Sequence, residues 1–325
     1  EKLGHSIDYY WMPEMWHDRN QPPRVPDVVV LPDNTRQVAK VMKIANTYRI
    51  PVTPWGGGSG SQGGALPVCG GIILDTKRMN RIIEIDTESL TITCETGANT
   101  QQLEWAVEKA GYSTMHFPAS IACATLGGFL AHRGTGVLST KYGKIEDMVM
   151  SLEVVTPEGE IINTLPVPRH ASGPDLTQLF VGSEGTLGVM TKVTLKIHPI
   201  PEVREFHAFL FKDMHSAMVA GRGLMASRLR PAVIRLYDGP ETAKVIRKVL
   251  GIERQGAYLV FGFDGDRAMV ELEMAKACAI CREQNPEDLG TEAGRNWWDN
   301  RYKFFYPPYM FQLPQIGRAS CRERV

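Results

Sequence analysis

The feature that most restricts the fold is a glycine-rich run at residues 54–64, in which six of the eleven residues are glycine. Such a run loses much backbone entropy on folding, so it is typical of a place where the backbone must approach another group closely. Successive amide groups without Cβ atoms can converge on an anion, and the hydroxyls of Ser59 and Ser61 are further donors. The run therefore predicts a phosphate-binding loop, with a flexible linker as the alternative.

The letters of Gly58–Gly63 match G-x-G-x-x-G, but the surroundings do not fit a dinucleotide fingerprint. That fingerprint requires a helix to begin on its last glycine, and the following residues, Gly64-Ala65-Leu66-Pro67-Val68-Cys69-Gly70-Gly71, cannot form one. No Gly-Lys-Ser/Thr follows, which excludes a nucleotide-binding P-loop. We therefore interpret the run as a phosphate loop of another class.

Length and composition indicate a globular protein of two domains. The chain has 325 residues, 43% of them hydrophobic, and its 36 basic and 36 acidic residues leave no net charge that would favour a nucleic acid. The apolar runs are strand-sized, so no transmembrane segment is expected. Six scattered cysteines favour free thiols in a reducing compartment, which predicts a cytoplasmic protein. Cys278 and Cys281 lie in a helix-like run and are expected to be packed thiols rather than metal ligands.

Periodicity predicts an α+β chain in two domains. Residues 1–23 form an N-terminal arm, 24–201 the first domain and 205–316 a second α+β domain in which strands alternate with helices. Residues 317–325 break the composition and are expected to be a non-native tail. In the first domain a strand, a helix and a second strand lead directly into the glycine-rich run.

Two more glycine clusters lie later in the first domain, each expected between strands. The second contains Pro118-Ala119-Ser120 and Thr125-Leu126-Gly127-Gly128, and the third is Gly182-Ser183-Glu184-Gly185-Thr186-Leu187-Gly188. Three such loops fit one elongated phosphate-bearing ligand better than three linkers do.

These motifs, in this order and with Lys141-Tyr142-Gly143 after the second, resemble the PCMH-type FAD-binding domain of the vanillyl-alcohol-oxidase family. The resemblance covers about residues 24–201. It implies FAD held in extended form between two α+β subdomains. The following α+β domain would be a ferredoxin-like cap, which we expect to be truncated.

The resemblance also implies which backbone and hydroxyl groups contact FAD. At the pyrophosphate they belong to Pro54, Trp55, Gly56, Gly57, Gly58, Ser59, Gly60 and Ser61. Along the flavin and its phosphoribityl chain they belong to Pro118, Ala119, Ser120, Thr125, Gly127 and Gly128. The site is completed by His132, Arg133, Gly134, Thr135, Glu184, Gly185, Thr186, Leu187, Gly188, Val189 and Met190. No metal is expected.

We expect the FAD to be noncovalent. Some family members bind it through a histidine beside the first glycine loop, where this chain has Ser59. Cys123 lies near the place of a flavin-bonded cysteine in doubly linked members, but without the histidine we interpret it as a small buried thiol.

Two branches of the family resemble this chain. One is the glycolate oxidase and D-lactate dehydrogenase branch, which implies hydride transfer from a 2-hydroxy acid or similar alcohol to the flavin. The other is alkyldihydroxyacetonephosphate synthase, a redox-neutral flavoenzyme of ether-lipid synthesis, which Arg169–Asp175 and Ile234-Arg235-Leu236 resemble. The catalytic residues in the C-terminal region of that synthase have no counterpart here, so we favour the oxidoreductase.

Four residues are candidates for catalysis. Arg235 and Arg301 are expected to clamp a carboxylate or phosphate, because guanidinium groups pair with such anions in bidentate fashion. His132 and Tyr142 are expected to handle protons. The expected partner is a small-molecule substrate. The electron acceptor stays open, as do a homodimer and a peripheral association with a membrane. A non-catalytic, truncated FAD-binding fragment is the alternative from another class.

Overall fold

The structure is a computed structural model that describes residues 2–10, 16, 24–168 and 170–304. These residues fall into two compact units. The first comprises residues up to 136 together with 143–200, and the second comprises 137–142 together with the residues from 201 onward. The predicted tail at 317–325 lies outside the described residues. Within the described ranges, no helix has the length and apolar character needed to cross a membrane.

Fourteen strands are present in the described residues. They are β1 (Val28–Val30), β2 (Val52–Trp55), β3 (Ile72–Asp75), β4 (Ile82–Asp86), β5 (Thr91–Glu95), β6 (Tyr112–Ser113), β7 (Val149–Val155), β8 (Ile161–Asn163), β9 (Val189–Lys196), β10 (His198–Pro199), β11 (Val203–Phe211), β12 (Val233–Tyr237), β13 (Ala257–Gly265) and β14 (Glu287–Leu289).

The α-helices of the described residues are distributed over both units. They are α1 (Thr35–Tyr48), α2 (Thr100–Lys109), α3 (Leu126–His132), α4 (Ser139–Tyr142), α5 (Ile145–Met148), α6 (Leu176–Phe180), α7 (Met214–Ala226), α8 (Gly239–Glu241), α9 (Arg247–Leu250), α10 (Arg267–Arg282) and α11 (Gly290–Asp299). A π-helical turn, Thr242–Ile246, joins α8 to α9, and 3-10 turns occur at Leu3–His5 and Arg301–Phe304.

The first unit contains a parallel sheet of order β1-β3-β2 and an antiparallel sheet of order β4-β5-β9-β7-β8, with a small β10-β6 pair. Helix α1 joins the two sheets. Asn34 caps its N-terminus by accepting from the Gln37 amide, and Val38 and Met42 lie in one buried cluster with Leu74 of β3 and Val155 of β7. The apolar face of this helix therefore holds the parallel sheet in place, and strand β2 of that sheet leads into the glycine-rich run.

The second unit is built on an antiparallel sheet of order β12-β13-β11-β14. This is the strand order of a ferredoxin-like fold, with α7 after the first strand and α10 after the third. Alternate residues of β11 and β13, including Phe209 and Phe261, form the core with α7 and α10. Because successive side chains of a strand point to opposite faces, Arg204, Arg235 and Asp264 lie on the other face.

Most predicted elements are confirmed, as is the α+β class. The differences lie where glycine is abundant or the element is short. The second glycine cluster was expected to be a loop between strands, but its last part is helix α3, because Thr125 caps the turn by accepting from the Gly128 amide. The sequence also did not indicate β14 and α11, since residues 287–299 are largely polar.

Helix α11 packs on β11 through a glycine. A Cβ atom at Gly294 would lie 2.7 Å from the His207 amide nitrogen and 2.8 Å from the Phe206 carbonyl carbon. We expect Gly294→Ala to lower the stability of the second unit by about 1–3 kcal/mol, because backbone atoms cannot yield as a side chain can. Urea unfolding followed by tryptophan fluorescence measures this.

Gly239→Ala is the matched control, because nothing lies within 4 Å of its added Cβ. It should leave stability unchanged or raise it by about 0.4–1 kcal/mol. Equal unfolding curves for the two variants would contradict the close packing of α11.

Candidate functional site

The first glycine loop leaves the carboxyl end of β2. Trp55 is buried and its carbonyl oxygen accepts from the Thr76 amide at 3.1 Å, which fixes the start of the loop. Beyond it, the amides of Gly57, Gly58, Ser59, Gly60 and Ser61 donate to no acceptor among the described residues, and these five residues are partly or fully exposed. A row of accessible amide donors in a glycine-rich loop is suited to an anion.

The second loop is anchored to the start of α2. The carbonyl oxygens of Ile121 and Ala124 both accept from the Thr100 hydroxyl, at 2.8 and 3.3 Å, and the Asn99 side chain donates to the Ala122 carbonyl oxygen at 3.0 Å. The carbonyl oxygens of Pro118 and Ser120 accept hydrogen bonds from backbone amides of the turn that follows these residues. The Gly127 amide then donates to the Thr96 carbonyl oxygen at 2.7 Å, so the loop is held at both ends.

The first and second loops touch at two glycines. A Cβ atom at Gly56 would lie 2.2 Å from the Thr125 hydroxyl oxygen, and one at Gly57 would lie 2.1 Å from the Cys123 carbonyl oxygen. Real Cβ atoms do not approach other atoms this closely, so these positions require glycine.

The third loop reaches both of the others. The Gly182 and Glu184 amides donate to the carbonyl oxygens of Leu130 and Ala131 at 2.9 and 3.0 Å, which joins the loop to α3. A Cβ atom at Gly185 would lie 2.8 Å from the Pro54 ring. The structure therefore brings all three predicted loops into one cluster in the first unit, which the linker alternative does not explain.

The other residues predicted to contact FAD take different places around this cluster. Arg133, at the C-terminus of α3, donates to the carbonyl oxygens of Val181 and Gln178 at 3.0 Å each, so its guanidinium ties α3 to the end of α6, directly before the third loop. His132 and Thr135 are exposed and Gly134 is buried. The Thr186 hydroxyl donates to the Ser183 carbonyl oxygen within the loop, and Leu187 is exposed. Gly188 directly precedes Val189 and Met190, which are buried residues of β9. The carbonyl oxygen of Met190 accepts from the Thr96 hydroxyl.

Cys123 departs from the sequence interpretation. We expected a small buried thiol, but its side chain is exposed, with Sγ 3.4 Å from the Ser120 carbonyl oxygen. In the turn at 120–123 the Cys123 amide donates to the Ser120 carbonyl oxygen and the Cys123 carbonyl oxygen faces Gly57, which leaves the side chain at the surface. Cys278 and Cys281 are buried in α10 as packed thiols, and burial raises the pKa of Cys278 to about 11.

Sequence reasoning missed His116, which directly precedes the second loop. Its ring is buried, and neither ring nitrogen has a hydrogen-bond partner in the described structure. Burial, followed by the proximity of His132, lowers the pKa of His116 to about 4. A lone histidine carries no motif, so the sequence offered no signal for it.

The catalytic candidates are divided between the units. His132 lies in the first, whereas Tyr142, Arg235 and Arg301 lie in the second. Tyr142 belongs to a network around the fully buried Asp264 carboxylate. Lys141 Nζ and the Tyr142 hydroxyl donate to Asp264 Oδ1 at 2.7 and 2.9 Å, and Arg204 Nε donates to Oδ2 at 3.0 Å. Burial and the Asp264 charge raise the pKa of Tyr142, so the phenol keeps its proton and is unsuited to act as a base.

Arg301 lies beside Arg204 at an aromatic surface. Its guanidinium carbon is 3.8 Å from the centre of the Trp298 ring, and that of Arg204 is 5.0 Å from the same ring. Arg301 donates to the Trp298 carbonyl oxygen at 2.7 Å, while its Nε is buried without a partner in the described residues. Burial first, and the Arg204 charge in addition, lower the pKa of Arg301. Arg235 is exposed on β12, apart from this pair.

Comparison with known families agrees with this geometry. A sequence model of the FAD binding domain matches residues 26–165, and a model of the C-terminal domain of FAD linked oxidases matches residues 200–314. The chain belongs to the FAD-linked oxidase family. The predicted family resemblance and the predicted FAD cofactor are thereby confirmed.

Several relatives of this chain have named functions. Alkyldihydroxyacetonephosphate synthase of Trypanosoma brucei brucei is 32% identical over 87% of this chain and 50% of its own length. Glycolate oxidase subunit GlcD of Bacillus subtilis is 36% identical over 82% of this chain and 57% of its own. A solved alkyldihydroxyacetonephosphate synthase structure superposes with a TM-score of 0.83 at 29% identity, covering 95% of this chain and 59% of that one. The chain thus spans about half the length of the relatives it matches.

The residues present fit FAD. The loop amides of 57–61 supply donors for a pyrophosphate, and the glycines at 56, 57 and 185 let three loops approach one another without side chains in the way. When bound, FAD supplies the two-electron acceptor. The protein's part is to bind and orient it and to exclude water.

We expect Gly57→Ala to weaken FAD binding at least tenfold, because its methyl group would force the first loop away from the Cys123 carbonyl oxygen. Titration of the apoprotein with FAD, followed by flavin fluorescence, gives the dissociation constant. The matched control is Gly64→Ala in the same glycine-rich run, because Gly64 lies outside the donor amides of 57–61 and its added Cβ would meet only Glu184 Oε2, at 3.5 Å, so FAD should bind almost normally. Similar affinities for both variants would refute the contact between the loops.

His116 should make the first unit sensitive to mild acid. Its pKa is about 4 when folded, against about 6.5 in an unfolded chain, so between these pH values the unfolded state binds more protons and stability falls as pH falls. Between pH 7.5 and pH 5 the melting temperature of His116→Leu should fall less than that of the wild type. The melting temperature of His215→Leu, changed at an exposed position, should fall as much as that of the wild type. Parallel pH profiles for wild type and His116→Leu would contradict this.

Proposed function

We propose that this chain forms the cofactor-binding and substrate-binding part of an FAD-dependent oxidoreductase that oxidises a 2-hydroxy acid or a similar alcohol. The observation that supports an anionic substrate is the pair Arg204 and Arg301 at Trp298. Arg204 pairs with the Asp264 carboxylate, whereas Arg301 donates to the Trp298 carbonyl oxygen and the Tyr302 hydroxyl and hydrogen-bonds no carboxylate of a described residue. A guanidinium whose hydrogen bonds go to neutral oxygens, with a buried Nε that has no partner among the described residues, favours an added anion.

Each candidate residue then has a distinct proposed role. Arg301 binds the substrate carboxylate, and Arg204 supports it while held by Asp264. The Tyr142 hydroxyl holds its proton toward Asp264 Oδ1, so it fixes that carboxylate instead of accepting the substrate's hydroxyl proton. His132, exposed at the end of α3, is the remaining candidate base. Arg235 is available on β12 as a second anion contact.

A second candidate function is supported by the similarity to alkyldihydroxyacetonephosphate synthase. The match extends over 87% of this chain, and Ile234-Arg235-Leu236 is the segment that resembled that branch in the sequence. Its substrate also carries an anionic group, so the arginine pair is compatible with either function. The two proposals differ in whether the flavin undergoes net reduction.

The test is an anaerobic titration of the FAD-loaded chain with D-lactate, glycolate and related 2-hydroxy acids, followed by absorbance near the flavin maximum at about 450 nm. We expect at least one acid to bleach the flavin. If none does while dithionite bleaches it fully, the oxidoreductase proposal is wrong and the synthase-like function is favoured.

Arg301→Gln tests the anion contact in the same titration. We expect the concentration of acid needed for half-reduction to rise about tenfold or more, because a charged hydrogen bond is lost. Arg295→Gln is the matched control: Arg295 is an exposed arginine in the middle of α11, the helix that ends just before Arg301, and it pairs with Glu205, so its change should have little effect. An equal effect of both substitutions would point to general charge and not to a carboxylate clamp.

A further inference from the structure

We propose that His5 is a positioning residue for cofactor binding. It ties residues 2–10, called here the arm segment, to the strand ends from which the first glycine loop leaves, and the arm segment then holds that loop with its amides directed at the FAD pyrophosphate. All of these residues lie in the first unit. The proposal rests on FAD binding and does not depend on which substrate is oxidised. No motif of the sequence pointed to His5.

The first observation is the place of His5 at the end of the parallel sheet. His5 Nε2 donates to Asp75 Oδ2 at 2.9 Å, and the Asp75 side chain is 1% exposed. Asp75 is the last residue of β3 and pairs in register with Trp55, the last residue of β2. The His5 ring also lies against the Trp55 ring, with centroids 5.0 Å apart. One imidazole therefore contacts the ends of both strands where the first loop begins.

The second observation is that the Trp55 ring supports the loop. A Cβ atom at Gly58 would lie 2.8 Å from Trp55 Cζ2, so the loop backbone passes directly over the edge of that ring. Gly58 has a φ of 63°, a conformation that glycine adopts without strain. Because the Trp55 ring is buried, the position of the Gly58 backbone depends on where His5 and the strand ends hold that ring.

The third observation is a direct bond from the arm segment to the loop. The Tyr9 amide donates to the Gly58 carbonyl oxygen at 2.9 Å. This carbonyl and the Ser59 amide belong to one planar trans peptide unit, in which C=O and N–H point in opposite directions. The bond from Tyr9 therefore turns the Ser59 N–H away from the arm segment. That N–H is one of the donors that meet no acceptor among the described residues.

The arm segment is itself held in place. Ser6 and Asp8 are buried, and the Tyr10 amide donates to Asp8 Oδ1 at 2.9 Å. Lys2 Nζ donates to the carbonyl oxygen of Asp27, directly before β1. The donor that orients the loop therefore belongs to an ordered segment of the first unit.

The arm segment also meets the far end of the glycine-rich run. A Cβ atom at Gly63 would lie 3.0 Å from Cδ1 of the Tyr10 ring. The loop is thus held at Gly58 and at Gly63, on both sides of the amides of residues 59–61. A binding loop that is held in place before its ligand arrives loses less conformational entropy on binding. Loosening the arm segment should therefore weaken FAD binding, chiefly through faster dissociation.

The test compares three variants of the full chain. His5→Ala removes the ring and its bond to Asp75, and His5→Gln keeps a side-chain donor. Lys77→Gln is the matched control, because Lys77 pairs with the same carboxylate at 3.1 Å but lies outside the arm segment. We expect the dissociation constant for FAD, measured by flavin fluorescence, to rise about tenfold for His5→Ala, about threefold or less for His5→Gln and about twofold or less for Lys77→Gln.

Hydrogen exchange of the FAD-saturated protein separates positioning from a general loss of stability. In His5→Ala the amides of residues 57–61 should exchange about fivefold faster or more than in the wild type. The amides of α1, a helix of the same unit, should exchange as in the wild type.

Three results would overturn the proposal. Unchanged FAD affinity in His5→Ala would show that the loop is held without the arm segment. Equally faster exchange in α1 and in the loop would show that His5 stabilises the unit as a whole. An effect of Lys77→Gln as large as that of His5→Ala would assign the effect to the Asp75 carboxylate alone. Each result leaves the oxidoreductase proposal intact, because flavin reduction by hydroxy acids is measured separately.

Discussion

The cofactor site depends on the close approach of two backbone segments that are far apart in the chain. Gly57 faces the Cys123 carbonyl oxygen and Gly56 faces the Thr125 hydroxyl, with no room for a Cβ atom at either place. Each segment is fixed independently, the first by β2 and the second by the start of α2, so neither can move aside. The amide donors of the first loop have no acceptor among the described residues, because the loop is held in this position and not folded onto itself.

The second unit contains a different constraint, which is a buried carboxylate with three donors. Isolated buried charge is unfavourable, and Asp264 is stabilised only because Lys141, Tyr142 and Arg204 converge on it. The same bonds immobilise Arg204 beside Trp298 and hold the phenol of Tyr142 protonated. Arg204 and Asp264, which carry opposite charges, are thus ordered on the sheet face opposite the helical core.

The parts of this structure that could be predicted from the sequence are those encoded locally. Clustered glycines identified the three loops, and apolar periodicity identified the longer helices and strands. The unpredicted parts depend on residues distant in sequence. Asp264 lies 122 positions from Tyr142, and Gly57 lies 66 from Cys123, so neither the raised pKa of Tyr142 nor the exposure of Cys123 had a local signal. His116 was missed because a lone buried histidine has no pattern. Helix α3 was missed because its two glycines outweighed the Thr125 cap.

Residues 137–142 have an unusual place in the chain. They belong to the second unit, although the residues on both sides of them, up to 136 and from 143, belong to the first. The chain therefore passes between the units three times, and the second unit is discontinuous in sequence. A gene fragment beginning after Ile200 would encode a sheet whose Asp264 has lost two of its three donors. For this protein, an autonomous second domain would have to be made by grafting the hexapeptide onto it, not by cutting the chain once.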